Sequence, residues 1–189
     1  MNTFTGGTTI EGGTLNINDD VALGAVTGGV TIMGGAKLQA TGEITSSRAF
    51  TLGAAGGIID TNGNDLTLDA NGTVTGTSLT KIGNGTLTLA GIQSYTTLNA
   101  NGGITHVDSV LGTGSATVNA SAELDFSVSQ TLAALTIGDG GVVILGSGSG
   151  AAAARERGAV AAAVPEPGSL NLLMLGVLGI LGRRRSRRG

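Results

Sequence analysis

Three groups of polar residues in this 189-residue sequence have side chains that could carry chemistry. The first is the stretch Asp60-Thr61-Asn62-Gly63-Asn64-Asp65, where carboxylate and amide oxygens alternate as they do in calcium-binding loops. Such loops have glycine at the sixth position and glutamate at the twelfth, but here those positions are Asp65 and Asn71. We therefore favour a turn in which Asn and Asp bond backbone groups, and keep a metal site at Asp60, Asn62, Asn64 and Asp65 as the weaker alternative.

The second group is His106 and the third is a set of acids. His106 is the only histidine and there is no cysteine, so a catalytic triad or a thiolate metal site lacks its usual residues.

A pair of acids could serve glycoside hydrolysis, but such sites usually also need basic residues and aromatic platforms, and both are rare in this chain. We therefore expect no catalytic residue and no cofactor, and interpret the acids as solvated turn residues. These acids are Asp60, Asp65, Asp69, Asp108, Glu123 and Asp125.

Threonines at alternate positions, Thr73 with Thr75 and Thr86 with Thr88, could begin a flat row of hydroxyl groups. Two pairs do not make an array, and threonine suits the solvent side of any strand. We expect ordinary exposed strand residues here.

Charge is divided unevenly along the chain. Residues 1–150 contain three basic residues (Lys37, Arg48 and Lys81) against eleven acids, and residues 151–189 contain seven arginines against two glutamates. An acidic body does not bind nucleic acid, because neutralising phosphates requires a basic surface. The basic end directly follows an apolar run, which favours contact with a membrane.

The elements that would hold these residues are short β-strands. Glycine makes up 35 residues and aromatics only 2%, while apolar and polar residues alternate in runs such as Thr14-Leu15-Asn16-Ile17. Sandwiches and barrels share this spacing, but the very short strands, the loose internal repeats and the scarcity of aromatic residues favour stacked coils. The sequence predicts an all-β, parallel β-helix (β-solenoid) over 1–146. The predicted strands include 8–10, 14–17, 30–33, 37–40, 50–52, 57–60, 66–68, 85–89, 103–107, 115–118, 123–126, 135–137 and 142–145.

A change of composition follows the solenoid. Residues 147–163 read SGSGAAAARERGAVAAA, a Gly/Ser/Ala-rich linker that we interpret as a tether because an isolated helix of this length is marginal. The stretch Val164-Pro165-Glu166-Pro167 comes next, and its prolines keep it extended. We expect a short hydrophobic helix over 170–182 and then a basic tail.

The hydrophobic run is short for a membrane span. Twelve residues from Leu170 to Leu181 form a helix of about 18 Å, against a hydrocarbon core of about 30 Å. That length suits a transient anchor, and the arginines would remain on the cytoplasmic side and place the body outside. The apolar residues are Leu170, Leu172, Leu173, Met174, Leu175, Val177, Leu178, Ile180 and Leu181, and the tail contains Arg183, Arg184, Arg185, Arg187 and Arg188.

Two family resemblances follow from these stretches. Residues 79–109, with Leu79-Thr80-Lys81 and then Gly83-x-Gly85-Thr-Leu-Thr-Leu, resemble the autotransporter-associated β-strand repeat, which implies a right-handed parallel β-helix on a bacterial surface. Residues 164–188 resemble the PEP-CTERM sorting signal, which implies processing by the membrane protease exosortase. The first 13 residues have no charged region followed by an apolar one, as a signal peptide would, and residues 1–25 look like the second half of a repeat. We therefore expect an N-terminally truncated sequence with an open strand edge.

Two functions remain open at this point. The first is a non-catalytic secreted or cell-surface solenoid, structural or adhesive, targeted to the envelope by its C-terminal signal and contacting extracellular polysaccharide or other surface proteins. The alternative is a fragment of a polysaccharide-active β-helix enzyme, a lyase or a hydrolase, which would have a cleft with converging carboxylates and a basic residue between them.

Overall fold

The structure is a computed structural model, and it describes residues 2–111, 114–146, 152–155 and 159–161. Its regular structure there is β-strand, apart from one four-residue 3₁₀ turn at Asp20–Leu23. The strands are β1 Thr8–Ile10, β2 Thr14–Ile17, β3 Val30–Ile32, β4 Lys37–Ala40, β5 Ile44–Ser46, β6 Ala49–Leu52, β7 Gly57–Asp60, β8 Leu66–Leu68, β9 Thr73–Ile82, β10 Thr86–Leu89, β11 Ile92–Ala100, β12 Gly103–Val107, β13 Ser115–Val118, β14 Ala122–Phe126, β15 Ala134–Ile137, β16 Val142–Leu145, β17 Ala152–Arg155 and β18 Ala159–Ala161.

The chain winds into a parallel β-solenoid of about seven turns, which confirms the predicted fold class. The solenoid has three sides. The first side consists of β1, β3, β6 and the first halves of β9 and β11. The second side consists of β2, β4, β7, the second halves of β9 and β11, β13 and β15. The third side is a separate sheet of β5, β8, β10, β12, β14 and β16. Paired residues are 18 positions apart at the shortest coil (Leu98 and Ala116) and 24 at the longest (Phe50 and Val74).

Alternation along each strand decides which side chains fill the interior. In β8, for example, Leu66 and Leu68 are buried and Thr67 between them is partly exposed. Parallel pairing in register then stacks like residues, so that Leu66 lies beside Leu87 in the next coil. The resulting core is a narrow aliphatic column, and burial of its methyl and methylene groups supplies the main stabilisation.

Glycine at the coil corners allows the coils to stack closely. A Cβ atom on Gly85 would overlap the carbonyl oxygen of Asn64 in the preceding coil, and one on Gly91 would overlap the carbonyl oxygen of Gly72. These corners therefore require the smallest residue, which explains part of the high glycine content.

The strands predicted from alternation are present with boundaries that agree to within one residue. The predicted strands did not include β5, β9 or β11, and β9 and β11 each run continuously past a corner. Two short strands also lie inside the segment expected to be a linker. β17 pairs antiparallel with β16 and β18 pairs antiparallel with β15, so these seven residues extend both sheets at the end of the stack.

Candidate functional site

The predicted sorting signal lies outside the described residues. This applies to Val164, Pro165, Glu166 and Pro167, to the apolar segment 170–182 and to the five arginines of the tail. Within the part of the chain that the structure describes, no helix is long and apolar enough to cross a membrane.

The Asp60–Asp65 segment forms a corner between β7 and β8. Asp60 Oδ2 accepts hydrogen bonds from Lys37 Nζ at 2.9 Å and Gln39 Nε2 at 2.7 Å, and its Oδ1 accepts one from the backbone of Asn62 at 2.9 Å. Burial raises the pKa of Asp60, but these donors outweigh burial and leave its pKa below the ordinary value.

The other three residues of the weaker metal alternative also have protein contacts nearby. Asn64 Nδ2 donates to the carbonyl oxygen of Ala40 at 3.2 Å, and Asp65 Oδ1 accepts from the backbone of Thr86 at 2.9 Å. Asn62 has a positive φ of 48°, as turn asparagines often do. In the described residues these oxygens and nitrogens link neighbouring coils, which is the arrangement expected of a structural turn.

His106 lies between two carboxylates on the outside of the third side. Its Nε2 is 2.7 Å from Asp108 Oδ1 and its Nδ1 is 2.8 Å from Asp125 Oδ2, and the imidazole remains one-third exposed. Ile104 and His106 share the outer face of this strand, and Ile104 is 39% exposed. The sequence could not show that Asp125 lies beside His106, because the pair depends on the register between β12 and β14.

Most of the candidate acids lie on this same surface. We call the outer surface of the third side, with the corner residues that continue its columns, the acidic face. Within the described residues of 2–146 it presents six of the eleven acids and no lysine or arginine, and Arg155 lies in β17 at the end of the same sheet. The six acids are Glu43, Asp65, Asp69, Asp108, Glu123 and Asp125. Hydrogen bonds from Ser47 and from the backbone of Asn71 hold the pKa of Asp69 below its usual value.

The sequence analysis did not identify the structural role of two buried cations, Arg48 and Lys81. The side chain of Arg48 is fully buried; its Nε lies 2.9 Å from Asp20 Oδ1, and its Nη atoms donate to the carbonyl oxygens of Gly24 and Gly28 at 2.7 and 2.9 Å. Arg48 thus organises the 20–28 loop, which follows β2. No local motif identifies this role, since 20 to 28 positions separate the arginine from the residues of the loop.

Lys81 has a comparable role in the repeat. It is fully buried, and its Nζ donates to the carbonyl oxygens of Gly83, Gly85 and Gly102 at 2.6, 2.6 and 2.8 Å. Burial lowers the pKa of Lys81 to about 8, although the charges of Asp60 and Asp65 act in the opposite direction. The Lys-x-Gly-x-Gly pattern is therefore a structural unit, in which the lysine binds the carbonyl groups that its own glycines expose.

A pocket of about 470 Å³ opens where the first side of the solenoid ends. The pocket lies beside the first half of β11. Among the described residues its lining contains no charged side chain and consists of Gly76, Gln93, Ser94, Tyr95, Thr96, Leu111 and Gly114. The volume is within the usual range for small-ligand pockets.

The described residues thus define a class of protein, a parallel β-solenoid with two buried cations, an acidic face and a neutral pocket. The residues that follow it match a known signal. The PEP-CTERM protein-sorting motif matches residues 163–188, which confirms the resemblance seen in the sequence.

The body of the chain is similar to a known surface protein. The adhesin BmaC autotransporter of Brucella suis biovar 1 (strain 1330) is 41% identical over 105 residues, an alignment that covers 50% of this chain and 3% of the adhesin. The chain therefore spans only a small part of the length of this relative. No solved structure gives a significant match. The solenoid, the repeats and the sorting motif together support location at the cell envelope and a structural or adhesive role.

Proposed function

We propose that this chain is a non-catalytic structural or adhesive solenoid that is exported and held at the bacterial envelope through its C-terminal signal. The match of residues 163–188 to a protein-sorting motif carries this proposal. The similarity to an adhesin and the stacked coils support it, because a β-solenoid is a rigid rod that can extend a binding surface away from a membrane.

The division of the chain follows from the same proposal. Residues 1–146 form the passenger, residues 147–163 connect it to the signal, and residues 164–189 contain the recognition motif, the apolar segment and the basic tail. Pro165 and Pro167 keep the motif extended for a protease of the exosortase type. The arginines remain cytoplasmic while the apolar segment lies in the bilayer, and the solenoid faces outwards.

Fractionation of the native producing cell tests the proposal. We expect the wild-type chain in the envelope or extracellular fraction, with a mass lower than that of the full sequence. The double variant P165A/P167A should accumulate unprocessed in the membrane. The variant S186A, a change in the basic tail outside the Val164–Pro167 stretch, should behave as wild type. Full-length wild-type protein free in the cytosol, with its tail intact, would contradict the proposal.

A further inference from the structure

Three stretches of the described chain contain asparagine, then any residue except proline, then threonine or serine. They are Asn71-Gly72-Thr73, Asn84-Gly85-Thr86 and Asn119-Ala120-Ser121. This pattern is the acceptor for N-linked glycans on exported proteins. The pattern is short and common, so its structural context decides whether a glycan can be attached. All three asparagines are exposed, and each lies at a corner of the solenoid.

Asn71 lies at the corner between β8 and β9, in a turn that Asp69 organises. Asp69 Oδ1 accepts hydrogen bonds from the backbone of Asn71 at 2.8 Å and of Gly72 at 3.2 Å. The carbonyl oxygen of Asp69 accepts a further bond from the backbone of Gly72 at 3.0 Å. Because the backbone donors of this corner are paired within the turn, it is preformed, and the side chain of Asn71 remains on its outside.

The two side chains that N-glycosylation requires are unpaired at this corner. Among the described residues, neither the carboxamide of Asn71 nor the hydroxyl of Thr73 has a hydrogen-bond partner. The residue between them is also packed loosely, since a Cβ atom on Gly72 would lie 3.3 Å from its nearest neighbour, whereas one on Gly85 would overlap a carbonyl oxygen. The Asn71 corner can therefore enter the site of an enzyme without first breaking side-chain contacts.

The other two patterns are held in place by hydrogen bonds. Asn119 Nδ2, the nitrogen that would carry a glycan, donates to Asn101 Oδ1 at 2.5 Å. Asn84 lies between two glycines whose carbonyl oxygens each bind Lys81 Nζ at 2.6 Å. A transferase has to draw its acceptor segment away from the surface, and these contacts oppose that movement.

An acid two positions before the acceptor also distinguishes Asn71 from the other two. That residue is Asp69, and the corresponding residues for the other patterns are Ile82 and Thr117. Hydrogen bonds from Ser47 and from the turn keep the pKa of Asp69 below its usual value, so the carboxylate is charged at neutral pH. An enzyme that uses a diphosphate-linked sugar donor needs basic groups to bind it. A carboxylate beside the acceptor is attracted to the same groups.

We propose that Asn71 is a glycosylation site, at which a membrane transferase attaches an oligosaccharide to Nδ2. The new bond joins Nδ2 to the anomeric carbon of the first sugar, and the bond from that carbon to the diphosphate of a lipid-linked donor breaks. The lipid diphosphate leaves, and Nδ2 loses one proton. This inference rests on the proposed export, which brings the chain to the membrane surface where such donors are used. The glycan projects from the border between the acidic face and the first side.

Trypsin separates this site from the other two patterns. Cleavage of the unfolded chain after Arg48 and Lys81 gives a peptide of residues 49–81, in which Asn71 is the only asparagine within the pattern. The full-length chain is purified from the envelope or extracellular fraction of the native producing cell, digested and analysed by mass spectrometry. We expect peptide 49–81 to carry an oligosaccharide that fragment ions place on Asn71, and peptide 82–155, with the other two patterns, to be unmodified.

Three variants test the role of the pattern. T73V keeps a β-branched side chain of the same size but removes the hydroxyl, so it should lose the glycan, whereas T73S keeps the hydroxyl and should retain it. The matched control T75V removes a hydroxyl from the same strand outside the pattern and should be modified like wild type. Thermal unfolding of each variant verifies that it folds.

The inference is overturned if peptide 49–81 of the wild-type envelope protein is unmodified, or if its sugar is attached to a threonine or serine. It is also overturned if T73V keeps the glycan, if T73V and T73S behave alike, or if T75V loses it. An unmodified chain in the envelope leaves the proposed function standing. An unmodified, full-length chain in the cytosol contradicts both proposals.

Discussion

At the scale of single residues, the buried cations show how a chain with few charged groups uses them. Lys81 and Arg48 are buried, and each donates to several carbonyl groups at a tight turn. A backbone carbonyl that is buried without a donor destabilises the fold, so one cation can stabilise an entire corner.

Replacing Lys81 by methionine tests this role. The side chain stays long and apolar, but the carbonyl groups of Gly83, Gly85 and Gly102 lose their donor. We expect the apparent free energy of unfolding to fall by about 3 kcal/mol, measured by urea titration. The variant K37M is the control, because Lys37 is partly exposed and its pair with Asp60 is a surface contact. Equal losses in the two variants would show that the carbonyl contacts have no special weight.

The same lysine predicts a pH dependence. Burial lowers the pKa of Lys81 to about 8, whereas an unfolded lysine titrates near about 10.4. Between these values the unfolded chain binds more protons than the fold, so the free energy of unfolding should increase as pH rises from 8 to 9.5. Unfolding titrations at both pH values should show this increase in wild type and not in K81M. A rise of the same size in K81M would assign the effect to another group.

Whether a contact of the candidate site could be predicted from the sequence depends on how far apart its two residues are in the chain. The Lys-x-Gly-x-Gly pattern could be recognised because the lysine and its glycines are close in the chain. The burial of the lysine side chain could not be predicted. The partners of His106 and of Arg48 were not visible, because 19 and 28 positions separate them from Asp125 and Asp20.

At the scale of elements, the corners decide how closely the coils approach. Gly85 lies where the backbone of the preceding coil passes nearest, against the carbonyl oxygen of Asn64. The variant G85A should lower the free energy of unfolding by about 2 kcal/mol, because the new methyl group must push two coils apart. In contrast, G12A adds a methyl group where nothing lies within 4 Å and should change stability by less than about 0.5 kcal/mol. Thermal unfolding followed by circular dichroism measures both, and similar melting temperatures for the two would contradict close stacking at Gly85.

The strands themselves were largely predictable, and the exceptions have physical reasons. Alternation in a run such as Leu66-Thr67-Leu68 is a local signal and gives the strand directly. β9 and β11 were harder to recognise as single strands, because each passes from one side of the solenoid to the next and the alternation changes phase there. The strands β17 and β18 come from an alanine-rich segment with no alternation, and their partners β16 and β15 alone hold them in place.

At the scale of the whole molecule, charged and hydrogen-bonding side chains are distributed unevenly among the three sides of the solenoid. The acidic face carries most of the acids, the first side is nearly neutral, and the cations of residues 2–146 are internal or paired. Copies of the solenoid therefore repel each other through one side only. Association through strand edges remains open to them, because β1, β2 and β5 each have one strand partner in the described residues.

β17 and β18 lie at the opposite end of the stack. From their position we predict how this end avoids association with other copies of the chain. Both run antiparallel to the last coil, so they interrupt the parallel order that a further coil would continue. A chain that ends after residue 146 leaves β15 and β16 with unpaired edges, and such edges recruit strands from other copies. We expect this truncated chain to form dimers and larger species at about 50 μM, measured by light scattering after gel filtration. A chain that ends after residue 161 keeps the two strands and lacks the apolar segment, so it should be markedly less associated. If both truncated chains have the same mass distribution, β17 and β18 do not protect the end of the solenoid.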